Sequence, residues 1–403
     1  MNKLKKPFLL NILLFVLTFA TTTIAGYSWI YGEVTFSKDK LVKALPYSIS
    51  FLSILTAHEF GHYFVARFYK IKTSLPYFIP MFLGELGPSI GTMGAFIRLK
   101  SRTKNKNQMF DVGIAGPLIG FLVALIVLAI GLSQLSSAKD FLFSLHEEYQ
   151  PLGDGFEEKA YTYQFMRQAD SLSFQKYLAK TNQLDSNKVF IAQEAYLVLK
   201  TGNNLLFHLI REHLNFGHWF PNSFELYHYP YLFAAYLALF FTALNLLPIG
   251  QLDGGHIMYG IFGRKIHYTV SISSLYGMLF YGGLGIVNPS ESTEEIIKSF
   301  LLISLFYFWC LNPYYSTFTS SIIGALGIIF AQVILLKIIP NLSGYNFWLV
   351  FAFISARILG IKHPPSEVEE PLNKPRIILG IFAILVFVIS FTPNVLSFEI
   401  LTP

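Results

Sequence analysis

The sequence predicts an all-α polytopic membrane protein of about 8–9 transmembrane helices, with one re-entrant or hairpin element and one sizeable polar insertion. Three observations predict it. Of 403 residues, 53% are hydrophobic and only 13% charged, where an ordinary globular domain carries about 25% charged residues. The mean hydropathy is +0.49. Apolar runs of spanning length recur from one end of the chain to the other, and 40 phenylalanines add bulk suited to lipid contact. A soluble protein of this size could not cover its surface with so few charges.

In order, the apolar runs are 8–30, 44–67, 109–132, 230–248, 268–288, 297–312, 320–339, 344–360 and 376–392. The first follows Lys3, Lys5 and Lys6 and ends Thr23-Ile24-Ala25-Gly26, which resembles a cleaved signal peptide, but its length through Ile30 favours an uncleaved first span. Between the second and third runs, Ser74 to Ile97 is apolar yet repeatedly broken by Pro76, Pro80, Gly84, Gly87, Pro88, Gly91 and Gly94, a pattern of turns rather than helix. The segment 134–228 is the one sizeable polar part, expected as a small, mostly helical cap with helical periodicity from about Asn187 to Leu214. The short linker Asn312 to Ser320 makes the two runs around it the least separated. The chain divides as 1–43, first span and linker; 44–133, a first core unit; 134–228, the insertion; 229–265, a second core unit; and 266–403, additional spans.

Charge sets the expected orientation. From Arg67 to Lys106 there are eight basic residues and one acid, Glu85; the segment 134–228 has eight basic residues against eleven acids. The positive-inside rule puts the first in the cytoplasm and the second outside. Arg264 and Lys265 fall inside again, and Glu291, Glu294 and Glu295 outside. The net charge of +6 is thereby explained by membrane loops rather than by nucleic acid. With the single cysteine Cys310, neither an intrachain disulfide nor a cysteine-built metal cluster is available.

One run carries His58-Glu59-Phe60-Gly61-His62. Four residues apart on a helix, His58 and His62 share a face and can grip one zinc ion, with Glu59 placed as a general base. Ionisable groups inside a span are costly, so a functional role is the default reading. A catalytic zinc needs a third protein ligand. The run 230–248 leads into Pro248-Ile249-Gly250-Gln251-Leu252-Asp253-Gly254-Gly255-His256, a Gly/Pro-broken turn on the same expected side of the membrane; Asp253 is the best third ligand and His256 its competitor.

These pieces, in this order, resemble the site-2 protease family of intramembrane zinc metalloproteases. That family pairs an H-E-x-x-H helix with a later N-x-x-P-x(4)-D-G segment, matched here by His58 to His62 and by Asn245 to Gly254. The stretches Gly91 to Ile97 and Asp111 to Gly120, and His363-Pro364-Pro365 with Pro371-Leu372, are similar to the branch that includes plant chloroplast proteases and many bacterial homologues. The likeness covers about 44–133 and 200–392 and leaves 134–200 unmatched. It implies that one zinc is held by His58, His62 and Asp253, that Glu59 is the base, and that Asn245 binds the substrate backbone or the developing oxyanion, with a purely structural amide as the other reading. Pro248 and Gly254 would shape the turn. It also implies that Ser74 to Ile97 forms a hairpin or re-entrant element beside the zinc, able to receive an unwound substrate segment as an added strand.

The expected function is intramembrane proteolysis of transmembrane protein substrates near the cytoplasmic face, in a lipid bilayer, most simply a bacterial inner membrane. A proteolytically silent zinc-binding membrane protein and a transporter are the alternatives; intact Glu59 counts against the first, and the absence of repeated halves against the second. A prenyl-protein type of zinc protease would need a later glutamate ligand, and Glu291, Glu294 and Glu295 fall on the wrong side. Gly113, Gly116 and Gly120 are expected to let the third run pack closely against the core, and the basic run Arg98 to Lys106 to act as an orientation signal.

Overall fold

A computed structural model describes residues 5–32, 37–83, 89–101, 103–180, 193–214 and 217–403. The elements are α1 (Lys5–Tyr31), α2 (Lys38–Phe68), β1 (Tyr77–Pro80), β2 (Thr92–Phe96), α3 (Lys106–Leu132), α4 (Ala138–Leu145), α5 (Phe156–Lys159), α6 (Tyr163–Lys180), β3 (Tyr196–Thr201), α7 (Leu205–His213), α8 (Pro230–Asn245), α9 (Asp253–Gly283), α10 (Thr293–Leu311), α11 (Phe318–Ile338), α12 (Phe347–Phe353), α13 (Lys374–Ser390) and β4 (Leu396–Leu401).

Among the described residues, five helical segments are long and apolar enough to cross a membrane: Phe8–Tyr31, Lys38–Phe68, Lys106–Leu132, Thr293–Tyr314 and Phe318–Ile338. The other four predicted runs also fall on helices, α8, α9, α12 with its π-helical continuation Ile354–Leu359, and α13. Large apolar side chains stand exposed on the outer helices, among them Leu302, Phe330 and Ile378; in water such a surface would aggregate, whereas in lipid it is the solvated face.

The core is built around α8. Pro230 starts it at the position where a missing N–H costs nothing, and Leu232 to Phe240 are buried on every side, the mark of a helix enclosed by others. It packs between α2 and α3, which also pack on each other. Helix α1 is tied into this unit: Asn11 Nδ2 donates to the carbonyl of Pro76 at 2.7 Å, Thr21 Oγ1 to that of Gly91 at 2.6 Å and Trp29 Nε1 to that of Ser89 at 2.9 Å. On the far flank, Arg376 of α13 grips Asp111 of α3 with two hydrogen bonds, Nε to Oδ1 at 2.8 Å and a terminal nitrogen to Oδ2 at 2.7 Å. Helix α9 breaks at Gly263, whose φ of 75° interrupts the helical path.

Strands β1 and β2 form an antiparallel hairpin with Tyr77 opposite Phe96 and Phe78 opposite Ala95. The expected hairpin between Ser74 and Ile97 is therefore present, while its turn formers Gly84, Gly87 and Pro88 lie outside the described residues. The helical periodicity expected from Asn187 to Leu214 needs correction. Residues 187–192 lie outside the described set, Tyr196–Thr201 is a strand, and helix begins only at Leu205. The strand exists because the chain end supplies its partner: β3 and β4 pair antiparallel over six residues, from Tyr196 opposite Leu401 to Thr201 opposite Leu396. A short apolar run with Val and Tyr fits either period, and only a distant partner decides between them. Trp348 and Tyr236 fix the approach to β4, donating to the carbonyls of Pro393 and Val395, each at 2.7 Å.

Candidate functional site

The H-E-x-x-H turn lies inside α2, where His58, Glu59 and His62 are all buried. Close approach of α3 to α2 at glycine positions makes this possible. Gly116 and Gly120 of α3 pass directly under the two imidazoles: a Cβ on Gly116 would stand 2.1 Å from His62 Nε2, and one on Gly120 3.1 Å from His58 Cβ. Gly61 of α2 answers from the other side, where a Cβ would lie 2.7 Å from the carbonyl oxygen of Ala115. The close packing expected of the glycine stripe is thus met, and its purpose is specific: it clears a cradle for two histidine rings.

The His62 ring is held by a tautomer-fixing bond. His62 Nδ1 sits 2.7 Å from the Val112 carbonyl oxygen; a carbonyl only accepts, so Nδ1 carries the proton and Nε2 presents its lone pair. That Nε2 lies 3.1 Å from His58 Nε2. Asp253 closes the group, its Oδ2 3.3 Å from each Nε2. It is the first residue of α9, and the turn packed beneath it leaves no room for a side chain at the next position: a Cβ on Gly254 would lie 1.9 Å from the carbonyl oxygen of Leu246. The N-cap position belongs to Leu252, so the Asp253 side chain is not spent on capping. Pro248 contributes its carbonyl, which accepts from Ser271 Oγ at 2.8 Å.

Three ligand atoms from two elements fit one divalent ion. Donors about 2.0–2.2 Å from a tetrahedral zinc are about 3.3–3.6 Å apart, and the separations here are 3.1, 3.3 and 3.3 Å. The competitor His256 turns elsewhere, with Nδ1 2.8 Å from His363 Nε2, and His363 stacks on Tyr259 at 4.2 Å between ring centroids. This pair lines a cavity of about 530 Å³ together with Ser101, Gln251 and Pro364.

Two further side chains reach the group. Asn245, the last residue of α8, places Nδ2 3.4 Å from His58 Nε2. The Glu59 carboxylate faces the backbone N–H of Ile97, just beyond β2, which joins the hairpin to the metal-binding helix. Sequence reasoning passed over the Val112 carbonyl, the Ile97 amide and the His256–His363 pair. The first two are backbone groups that residue identity cannot mark, and the third joins residues 107 positions apart.

A family model described as peptidase family M50 matches residues 46–282, more than half of the chain and all of the groups just described except His363 and Pro364. Among curated proteins, the chain is 28% identical over 242 residues to "Probable zinc metalloprotease EGY1, chloroplastic" of Oryza sativa subsp. japonica, covering 60% of this chain and 32% of that protein. The protein of the same name from Arabidopsis thaliana is 27% identical over 242 residues, covering 60% and 34%. "Probable zinc metalloprotease EGY2, chloroplastic" of Oryza sativa subsp. indica is 27% identical over 289 residues, covering 67% and 42%. The aligned region spans about a third of the length of the first of these relatives. No solved structure matches the chain.

Proposed function

The chain belongs to peptidase family M50, and on that premise we propose that it is an intramembrane zinc endopeptidase, cutting transmembrane segments of membrane protein substrates near the basic, cytoplasmic side of the bilayer as a step of regulated intramembrane proteolysis. The observation that carries the reading is the convergence of His58, His62 and Asp253 within 3.3 Å of one another, with Glu59 adjoining on the same helix. The names of the relatives, zinc metalloproteases, support the choice of ion.

In this proposal His58 Nε2, His62 Nε2 and Asp253 Oδ2 hold the zinc. When bound, zinc would act as a Lewis acid, making a water acidic near neutral pH and polarising the scissile carbonyl. Glu59 accepts the proton of the attacking water and delivers it to the departing amine, so that one carboxylate serves both halves of hydrolysis. Asn245 directs its amide N–H toward the oxygen that gains charge in the transition state. Asp253 stays a carboxylate throughout. The Val112 carbonyl keeps His62 in the tautomer that leaves Nε2 free.

A helical substrate hides its carbonyls in its own hydrogen bonds, so it must unwind before attack. The hairpin supplies a place for that: β1 packs on α1 whereas β2 adjoins α2 and Glu59, and an extended segment added along β2 would be presented to the base. The exposed Met93 and Phe96 of β2 suit apolar substrate side chains. The number of spans, about 8–9 by the apolar runs, and the inside-positive orientation belong to the same proposal. The bacterial inner membrane expected from the sequence draws no support from the relatives, which are chloroplastic; integral membrane residence does not depend on it.

The proposal is tested with purified protein and a fluorogenic transmembrane peptide in mixed micelles. Wild type is expected to cleave it, and Glu59→Gln to retain zinc while losing cleavage. Equal cleavage by both proteins contradicts the assignment.

A further inference from the structure

A second group of metal-ligating side chains lies at the opposite end of α8. We propose that His146, Glu225 and His228 form a second binding site for a divalent cation of the zinc class, joining the insertion to the ends of α1 and α8. From His228 to Asn245 the chain advances 17 residues, about 25 Å of helix at about 1.5 Å per residue, so one ion cannot serve both groups.

The tautomers are set as they are around His62. His228 Nδ1 lies 2.7 Å from the carbonyl oxygen of Ile30, at the end of α1, and must donate its proton there. His146 Nδ1 lies 2.9 Å from the Glu148 carboxylate. A ligand histidine that donates its other N–H to a carboxylate or a carbonyl is the usual arrangement around a bound transition metal. His228 Nε2 is thereby left with its lone pair, and it faces His146 Nε2 at 3.3 Å. Glu225 completes the set with Oε2 3.5 Å from His228 Nε2. The two separations at His228 Nε2 match the edges of a zinc tetrahedron, about 3.3–3.6 Å, and all three ligand atoms lie within 4.8 Å of one another.

The independent sign of a ligand is Glu225 itself. Its side chain is 2% exposed. Oε1 accepts from Tyr161 at 2.7 Å and from Tyr149 at 3.3 Å, while Oε2 is buried and takes no hydrogen bond among the described residues. A buried carboxylate oxygen left without a donor costs several kcal/mol as an ion, roughly, unless a cation meets it. The cluster borders a cavity of about 860 Å³ lined by Trp29, Lys43, His146 and His228, from which a fourth ligand, water or a small anion, can enter. The competing arrangement without metal is a proton on His146 shared between the acids.

Metal stoichiometry decides. The full chain is purified in detergent, loaded with Zn²⁺ alone, desalted and analysed by inductively coupled plasma mass spectrometry. Wild type is expected to hold two equivalents, Glu225→Gln one, His58→Ala one, and the combination none. The equivalent retained in Glu225→Gln reports that this variant is folded. Should Glu225→Gln lose both, His146→Gln at the more exposed ligand decides, with one equivalent lost supporting the site and none lost overturning it. Wild-type loading in Glu225→Gln, or a single wild-type equivalent that disappears in His58→Ala, also overturns it. A single equivalent lost in Glu225→Gln but kept in His58→Ala would leave the second site standing and remove the first.

Discussion

Replacing Gly116 by alanine tests whether the glycine cradle under the histidines sets metal affinity. The added Cβ would stand 2.1 Å from His62 Nε2 and 2.5 Å from both Cδ2 and Cε1, where ordinary contact begins at 3.4 Å. Relief therefore demands a shift of about 1.3 Å between α3 and the ring. The ring cannot simply swing aside, because its Nδ1 is bonded to Val112 on the same α3, so it would exchange a clash for a lost hydrogen bond. Displacement of a ligand's support commonly costs about 10–100-fold in metal affinity, equivalent to about 1.4–2.7 kcal/mol, and overpacking adds about 1–3 kcal/mol of lost stability. Competition of the purified protein with a chromophoric zinc chelator measures the first, and thermal unfolding in detergent the second. Gly120→Ala, 3.1 Å from His58 Cβ, is expected to fall between wild type and Gly116→Ala. Gly327→Ala in α11 meets nothing within 4 Å; it should leave zinc affinity unchanged and gain about 0.5–1 kcal/mol from the lost freedom of glycine. Wild-type zinc affinity in Gly116→Ala would refute the reasoning.

Asp253→Ala removes one of three donors and should release zinc at chelator concentrations that wild type withstands; equal zinc content in the two proteins would sink the assignment of the third ligand. Arg376→Lys keeps the charge but gives up the two-pronged grip on Asp111, and unfolding should come about 1.5–3 kcal/mol earlier, the range for hydrogen bonds to charged groups; an unchanged melting temperature would show that α13 is held by packing alone. Truncation after Val395 removes β4 and leaves β3 with an open edge, so proteolysis between 193 and 201 should accelerate and detergent-solubilised protein should associate; wild-type resistance would count against the pairing.

The parts that were legible in the sequence are those whose information is local. Each long apolar run became a helix because length and composition alone decide that outcome in lipid. His58 and His62 announced a shared face through spacing, and the broken turn around Asp253 announced itself through Pro248, Gly250 and Gly254. The glycine stripe of α3 was read correctly as a close approach, though only the structure identifies what approaches. Strand β3 was misread because its partner lies at the chain end, nearly two hundred residues on, and nothing within Tyr196 to Thr201 forbids a helix. The cluster of His146, Glu225 and His228 was invisible for the same reason: its members carry no motif, and a fold must close before an 82-residue separation becomes 3.3 Å. Backbone contributors such as the Val112 carbonyl leave no trace in residue identity at all.

The most direct test of intramembrane proteolysis compares membrane proteomes from cells carrying wild type or Glu59→Gln, scored for new peptide termini within or beside apolar spans. Termini present only with wild type are expected, and they would name substrates as well as establish the reaction. Identical termini in the two, with zinc bound in both proteins, would contradict the account.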